Sequence, residues 1–215
     1  MRQSQTYANI FASLGALALL TCSTARAQGQ HSHEPHVHAQ QQQQKPPAQT
    51  SEKFTRTVAS YDVPDVTLAD VNGERVRLAS ALAYDGPVFL QFIFTTCPTI
   101  CPVMSGTLSA AQEKLGDEAA RVRVISISID PEQDTPERLR EYARRFKAGP
   151  QWMFLTGDLE KIVAVQKSFD AYRGNKMRHE PLTFLRAAPG KPWLRLDGLL
   201  SAAQLVGEYK RLTSQ

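Results

Sequence analysis

The run PVFLQFIF, Pro87 to Phe94, has Gln91 as its one polar residue and leads straight into TTCPTICP. An apolar run of this length, bounded by turn formers, reads as a strand covered on both faces, because a half-exposed strand would alternate. Covering both faces takes helices on each side of a sheet, which restricts the chain to α/β architectures. The segment after the strand carries Cys97 and Cys101, four positions apart and each followed by proline. Open α/β sheets gather their ligand and redox sites at the carboxyl ends of strands, and the first amides of a helix stabilise a thiolate. Both cysteines therefore stand where low-pKa thiols are expected.

The surrounding pattern supplies the rest of the sheet. VTLADVNGERVRL alternates about Asn72-Gly73 and reads as a hairpin. VMSGTLSAAQEKL puts Val103, Leu108, Ala111 and Leu115 on one helical face, and RVRVISISI, Arg121 to Ile129, alternates as a strand. In DPEQDTPERLREYARRF, Thr135 can cap a helix whose first position is Pro136. WMFLTG, Trp152 to Gly157, is a further strand, and Asp158 can cap a helix carrying Leu159, Ile162, Val163 and Phe169. PLTFLRAAPGKPWLRLDG forms a second hairpin about Pro189-Gly190; SAAQLVGEYKRL closes the chain with Ser201 as cap and Leu205, Tyr209 and Leu212 on one face. These elements predict an α/β fold with a mixed central β-sheet flanked by helices and the Asn72-Gly73 hairpin as an N-terminal extension. Trp152 and Trp193 read as packing residues, and Asp130 and Asp134 as turn and capping residues.

Three segments are expected: a signal peptide over 1–27, a tether over 28–53 and a folded domain over 54–215. The first has a basic start, an apolar run from Ile10 to Leu20 and Ala25-Arg26-Ala27 in the small-x-small form of a signal-peptidase site. Its apolar run falls short of the ~18 residues that span a bilayer. A retained anchor, or a lipid on Cys22 of LLTC, are the alternatives. Cleavage would remove Cys22 and leave an even cysteine pair in an exported protein, where a disulfide is the default. The tether, QGQHSHEPHVHAQQQQQKPPAQTSEK, lacks apolar periodicity and reads as disordered. Its His31, His33, His36 and His38 are either a solvated tail or an imidazole site for Cu(II), Zn(II) or Ni(II). The 25 Lys and Arg against 21 Asp and Glu give a charge of +4, and removing Arg2 and Arg26 leaves +2. That surplus gives no reason to expect nucleic acid, and membrane contact would come only through the signal or a lipid anchor.

Cys97 and Cys101 can be a structural cross-link, a redox couple or a pair of metal ligands, and their spacing leaves all three open. Outside the tether the one histidine is His179, in YRGNKMRHEP, which by itself reads as an exposed loop residue. Met104 and Met177 carry thioethers that suit Cu(I), but they read as packing.

Three blocks, FIFTTCPTICPVMS, ISISIDPEQDTPERLREYARRF and WMFLTGDLEKIVAVQKSFDAY, resemble the signatures of the SCO/SenC family, thioredoxin-fold proteins of the bacterial periplasm and mitochondrial inner membrane. The resemblance runs from Tyr61 to Leu212 and implies a thioredoxin-like fold, a periplasmic location, and copper held by Cys97, Cys101 and His179. Thr99 stands where the family commonly has Asp between the cysteines, and Arg178 where it commonly has Asp before the histidine.

Two thiolates and an imidazole form a soft donor set that suits Cu(I), and takes Cu(II) when an oxygen ligand completes the plane. Such a site binds only when both thiols are reduced and deprotonated. The implied role is a metallochaperone. It would take copper from a small periplasmic carrier and pass it to the CuA subunit of cytochrome c oxidase, with a thioredoxin-like reductant keeping the thiols open. The alternative is a thiol–disulfide oxidoreductase acting on CuA-site or other exported cysteines, with Cys97 and Cys101 as its redox-active pair. A peroxiredoxin-like peroxidase would share the scaffold, but the second cysteine is not in the usual resolving position.

Overall fold

A computed structural model describes residues 54–214. The expected signal peptide and tether, with Cys22 and the His31–His38 tract, lie outside the described residues. The main sheet is built from β1 (Thr55–Ala59), β4 (Val88–Ile93), β5 (Arg123–Ser128), β6 (Trp152–Leu155), β7 (Leu182–Arg186) and β8 (Trp193–Asp197). Its order is β1-β8-β7-β4-β5-β6. β4, β5 and β6 run parallel, whereas β7 joins β4 antiparallel and β8 and β1 follow antiparallel. The expected mixed sheet is present, with the late hairpin laid against its central strand.

The N-terminal hairpin is β2 (Thr67–Ala69) and β3 (Arg75–Arg77), a separate two-stranded sheet. Asp70 closes its turn by accepting from the amides of Asn72 and Glu74, and Gly73 takes a φ of +79° that a side chain would resist. An Ala69–Thr156 bridge ties it to the end of β6.

Every residue of β4 is buried, as the unbroken apolar run requires. β5 departs from expectation: its alternating serines do not face water, and Ser126 and Ser128 are fully buried. They survive burial because their hydroxyls are used. Ser126 Oγ accepts from Gln91 Nε2 at 2.9 Å and from Trp152 Nε1 at 2.8 Å, and Ser128 Oγ donates to Asp134 at 2.6 Å.

Five helices complete the domain: α1 (Leu78–Leu82), α2 (Ile100–Leu115), α3 (Pro136–Arg145), α4 (Leu159–Ser168) and α5 (Ala202–Thr213). α2 buries Cys101, Met104, Leu108, Ala111 and Leu115, a three- and four-residue spacing. Val103, expected on that face, is 48% exposed, because two residues from Cys101 carry it about 200° around the helix. α3 starts as the sequence predicts, with Thr135 accepting from the Arg138 amide and Pro136 in the first turn. Ser201 and Gln204 form a capping box on α5. Asp158 stands at the N-cap of α4 without a capping bond and pairs with Lys161 instead.

β1 and α1 had no clear signal in the sequence. β1 is an edge strand exposed at four of its five positions, so no period-2 pattern marks it. It is held by pairing with β8 and by Arg56, whose guanidinium lies 2.6 Å from the buried Glu208 of α5. Phe92, Phe169, Phe184 and Trp193 meet edge to face in the core, each fully buried phenyl contributing about 2–3 kcal/mol. Arg195 on β8 donates to the carbonyls of Phe169 and Asp170. That anchors the chain where it leaves α4 for His179.

Candidate functional site

The strand β4 delivers the site. After Ile93 the chain passes through Phe94, Thr95 and Thr96 to Cys97, and α2 begins at Ile100 with Cys101 as its second residue. Cys97 is therefore in the turn before the helix, and only Cys101 is helical. Thr99, at the N-cap, makes no side-chain capping bond. The Cys97 sulfur fills that role by accepting from the Cys101 amide at 3.3 Å. Pro102 falls in the first turn, where an amide would have no partner within the helix, so it does not break α2.

Both cysteines are free thiols, and their environments push them apart in acidity. Burial raises the Cys97 thiol, but the amides of Cys101, Thr99 and Ile100 outweigh burial and hold it below the ordinary cysteine range. Cys101 is fully buried, and burial drives its pKa well up, helped by the charge of Cys97 and of Asp134. The Phe94 amide, donating to Cys101 Sγ at 3.4 Å, only partly offsets this. One thiol is thus readily ionised, and its neighbour is held protonated until something replaces the proton.

Asp134 holds the turn in place. Its carboxylate is fully buried and accepts from the Thr95 amide at 3.1 and 3.2 Å, from Thr95 Oγ1 at 2.5 Å and from Ser128 Oγ at 2.6 Å. It thereby joins the end of β5 to the residues just before Cys97. The sequence reading missed this role. Asp134 read as a turn or capping residue, whereas Thr135 makes the α3 cap and Asp134 is instead a buried acceptor for groups 6 and 39 positions away.

His179 is buried at 8% exposure, not exposed as its loop position suggested. It follows a short 3-10 turn, Lys176–Arg178, in which Asn175 accepts from the Met177 amide. Lys176 reaches 2.5 Å to the buried carboxylate of Asp130 and lies 5.7 Å from the centre of the Phe94 ring. The His179 ring stands edge-on to that same ring, 6.3 Å between centroids. Burial pushes its pKa down to about 4 against the opposing pull of Glu180 and of the Phe92 carbonyl, which hydrogen-bonds the ring. Nε2 is buried with no hydrogen-bond partner. A neutral imidazole fixed through one nitrogen with the other unused is the arrangement of a ligand histidine. His179 also lines a cleft of about 280 Å³ together with Asp130, Gln166 and Lys176.

Phe94 is the residue that touches both halves, through its amide to Cys101 and its ring to His179. Among the described residues no three His, Cys, Asp or Glu side chains stand together closely enough to hold a metal ion. Cys97 and Cys101 are brought together; His179 is brought to their neighbour. Met104 is packed as expected, but Met177 is 67% exposed because the 3-10 turn points it outward.

A family model described as SCO1/SenC matches residues 56–214. The chain belongs to the SCO1/SenC family. The SCO1 protein homolog of Bacillus subtilis is 41% identical over 100 residues, a match covering 46% of this chain and half of that protein. A SCO2-like protein of Rickettsia conorii is 30% identical over 160 residues, covering 68% of this chain and 74% of the relative. Among solved structures, Bradyrhizobium japonicum ScoI with copper bound superposes with a TM-score of 0.59 at 28% identity, over 72% of this chain and 99% of ScoI. BsSco, a member of the Sco family of cytochrome c oxidase assembly proteins, has a TM-score of 0.61 at 29% identity, over 74% of this chain and 98% of its own. These thioredoxin-like neighbours bear out the expected fold class.

Proposed function

We propose that this SCO/SenC protein is exported to the periplasm, binds copper through Cys97, Cys101 and His179, and passes it to the CuA subunit of cytochrome c oxidase. The observation that carries the reading is His179. Its Nε2 is buried and unpartnered, and its ring lies against Phe94, whose amide donates to Cys101. An orphaned imidazole nitrogen costs about 1–3 kcal/mol and is retained where it has a ligand to meet. The copper-bound ScoI of Bradyrhizobium japonicum supports the choice of metal.

In this reading Cys97 and Cys101 would hold Cu(I) as thiolates, Cys101 giving up its proton to solvent on binding, and His179, which stands beside Phe94, would supply the third donor. Release reverses these steps by ligand exchange, with a small carrier as donor and a thioredoxin-like reductant keeping the pair reduced. Among the described residues no helix is long and apolar enough to cross a membrane.

The test is to add one equivalent of Cu(I) to the reduced protein and read its coordinating atoms by X-ray absorption. Two sulfurs and one nitrogen are expected, with the nitrogen lost in His179→Ala. A variant that binds as tightly as the parent with the same shell would defeat the three-ligand reading. A thiol–disulfide oxidoreductase is the second reading, favoured by the unequal acidity of Cys97 and Cys101. Cys97→Ser abolishes both roles, whereas His179→Ala abolishes only copper retention.

A further inference from the structure

A second cleft, of about 470 Å³, begins at Thr95 and Thr96, the two residues before Cys97, and runs along α3 past Arg138, Glu141, Tyr142 and Arg145. The four helical residues follow a spacing of three and four, so they form one face. Tyr142 is its buried floor, turned inward with its hydroxyl 3.0 Å from Ser105 Oγ. Arg138 and Arg145 are exposed and, among the described residues, form no ion pair. Glu141 is the one acid in the lining, which leaves a positive surplus. Neither arginine is needed to bury α3, whose buried residues are Leu139 and Tyr142.

Arg178 is exposed and unpaired among the described residues, next to His179. From Thr95 to Val103 the chain contains no acid. The cleft is rigidly placed relative to the sulfur, because Thr95 is bound through its amide and hydroxyl to the buried Asp134.

We propose that this cleft is the docking surface for an acidic segment of the protein with which Cys97 exchanges copper or electrons. The proposal rests on the function argued above and adds the chemistry of the partner. Guanidinium groups at the rim of a reactive sulfur concentrate anionic partners there and turn them toward it, an effect on encounter rate more than on final affinity. Arg138 and Arg145 would each take a carboxylate bidentately, while an extended chain between them passes over Thr96 to Cys97.

Two short cysteine peptides test this, identical except that glutamates flank the cysteine in one and lysines in the other, each carried as a mixed disulfide with thionitrobenzoate. The Cys97 thiolate attacks the peptide sulfur, a protein–peptide disulfide forms, and coloured thionitrobenzoate leaves with the electron pair, so the release rate reports approach. At low salt the acidic peptide should react about tenfold faster than the basic one, with the preference fading toward about 1 M salt. Arg138→Glu with Arg145→Glu should reverse the preference, and the paired glutamine substitutions should bring the ratio near one. A change in thiol reactivity moves both rates together and leaves the ratio alone. A ratio that is the same in parent and charge-reversed protein overturns the docking surface whatever its copper affinity; so does a parent that prefers the basic peptide or neither. A reversed ratio in a protein that fails to hold copper keeps the surface and removes the copper reading.

Discussion

The ring of His179 stands edge-on to the ring of Phe94, and the Phe94 amide points at the sulfur of Cys101. One residue at the end of the central strand thus separates the imidazole from the thiol pair and touches both. In the function proposed above, the loop carrying His179 would complete the site, since Cys97 stands in the turn before α2, Cys101 in its first turn, and the histidine beside Phe94.

The two thiols should differ sharply in reactivity. At neutral pH, iodoacetamide should alkylate Cys97 faster than Cys101 by more than about tenfold, because amides stabilise its thiolate while Cys101 is fully buried. Peptide mapping by mass spectrometry after brief labelling reads the ratio. Equal labelling of the two in the folded protein would contradict the described environments.

His179 should make stability fall with acid. Its folded pKa of about 4 lies below its ordinary 6.5, so between these values the unfolded chain takes up a proton that the folded chain refuses. The contribution is fully present above about pH 6.5 and is lost as pH falls toward 4, amounting to ~3 kcal/mol. Urea midpoints across this range should drop more for the parent than for His179→Gln. Parallel curves would mean that the ring is not buried as described.

Removing the Asp134 carboxylate should be among the costlier single changes near the site. Asp134→Ala leaves the Thr95 amide and hydroxyl and the Ser128 hydroxyl without their acceptor, a loss of about 3 kcal/mol or more. Ser128→Ala removes one donor to the carboxylate and the acceptor of the Asp130 amide, and should cost less, about 1–2 kcal/mol. Chemical denaturation compares them, and equal costs would mean that the carboxylate is not the hub.

Oxidation should act as an off switch for copper. Joining Cys97 and Cys101 in a disulfide removes both thiolates, so the oxidised protein should retain no Cu(I) through a desalting column, and reduction should restore one equivalent. Retention by the oxidised protein would point to donors other than this pair.

Much of this was legible along the chain. Pro87 to Phe94 is apolar enough to require cover on both faces, and that alone makes it the central strand. Thr135-Pro136 and Ser201 through Gln204 are capping signals satisfied by atoms within four residues, so they needed no tertiary context. The edge strand β1 left no pattern because its side chains are mostly in water, and the serines of β5 misled because an alternating strand looks the same whether its small residues meet solvent or partners. Val103 and Met177 were misplaced for want of the exact start of the turn that carries each.

The sequence by itself determined the α/β class, the cysteine pair at a strand end and the family. Those depend on local periodicity and on residues close in the chain. Only the tertiary structure decided that Asp134 clamps Thr95, that Lys176 pairs with Asp130, and that His179 is buried beside Phe94 with a nitrogen to spare. Each joins residues 39 to 85 positions apart, since Thr95 and Asp134 are separated by 39, Asp130 and Lys176 by 46, and Phe94 and His179 by 85. Burial and charge at such pairs are set by which strands lie side by side, and no one stretch of chain encodes that.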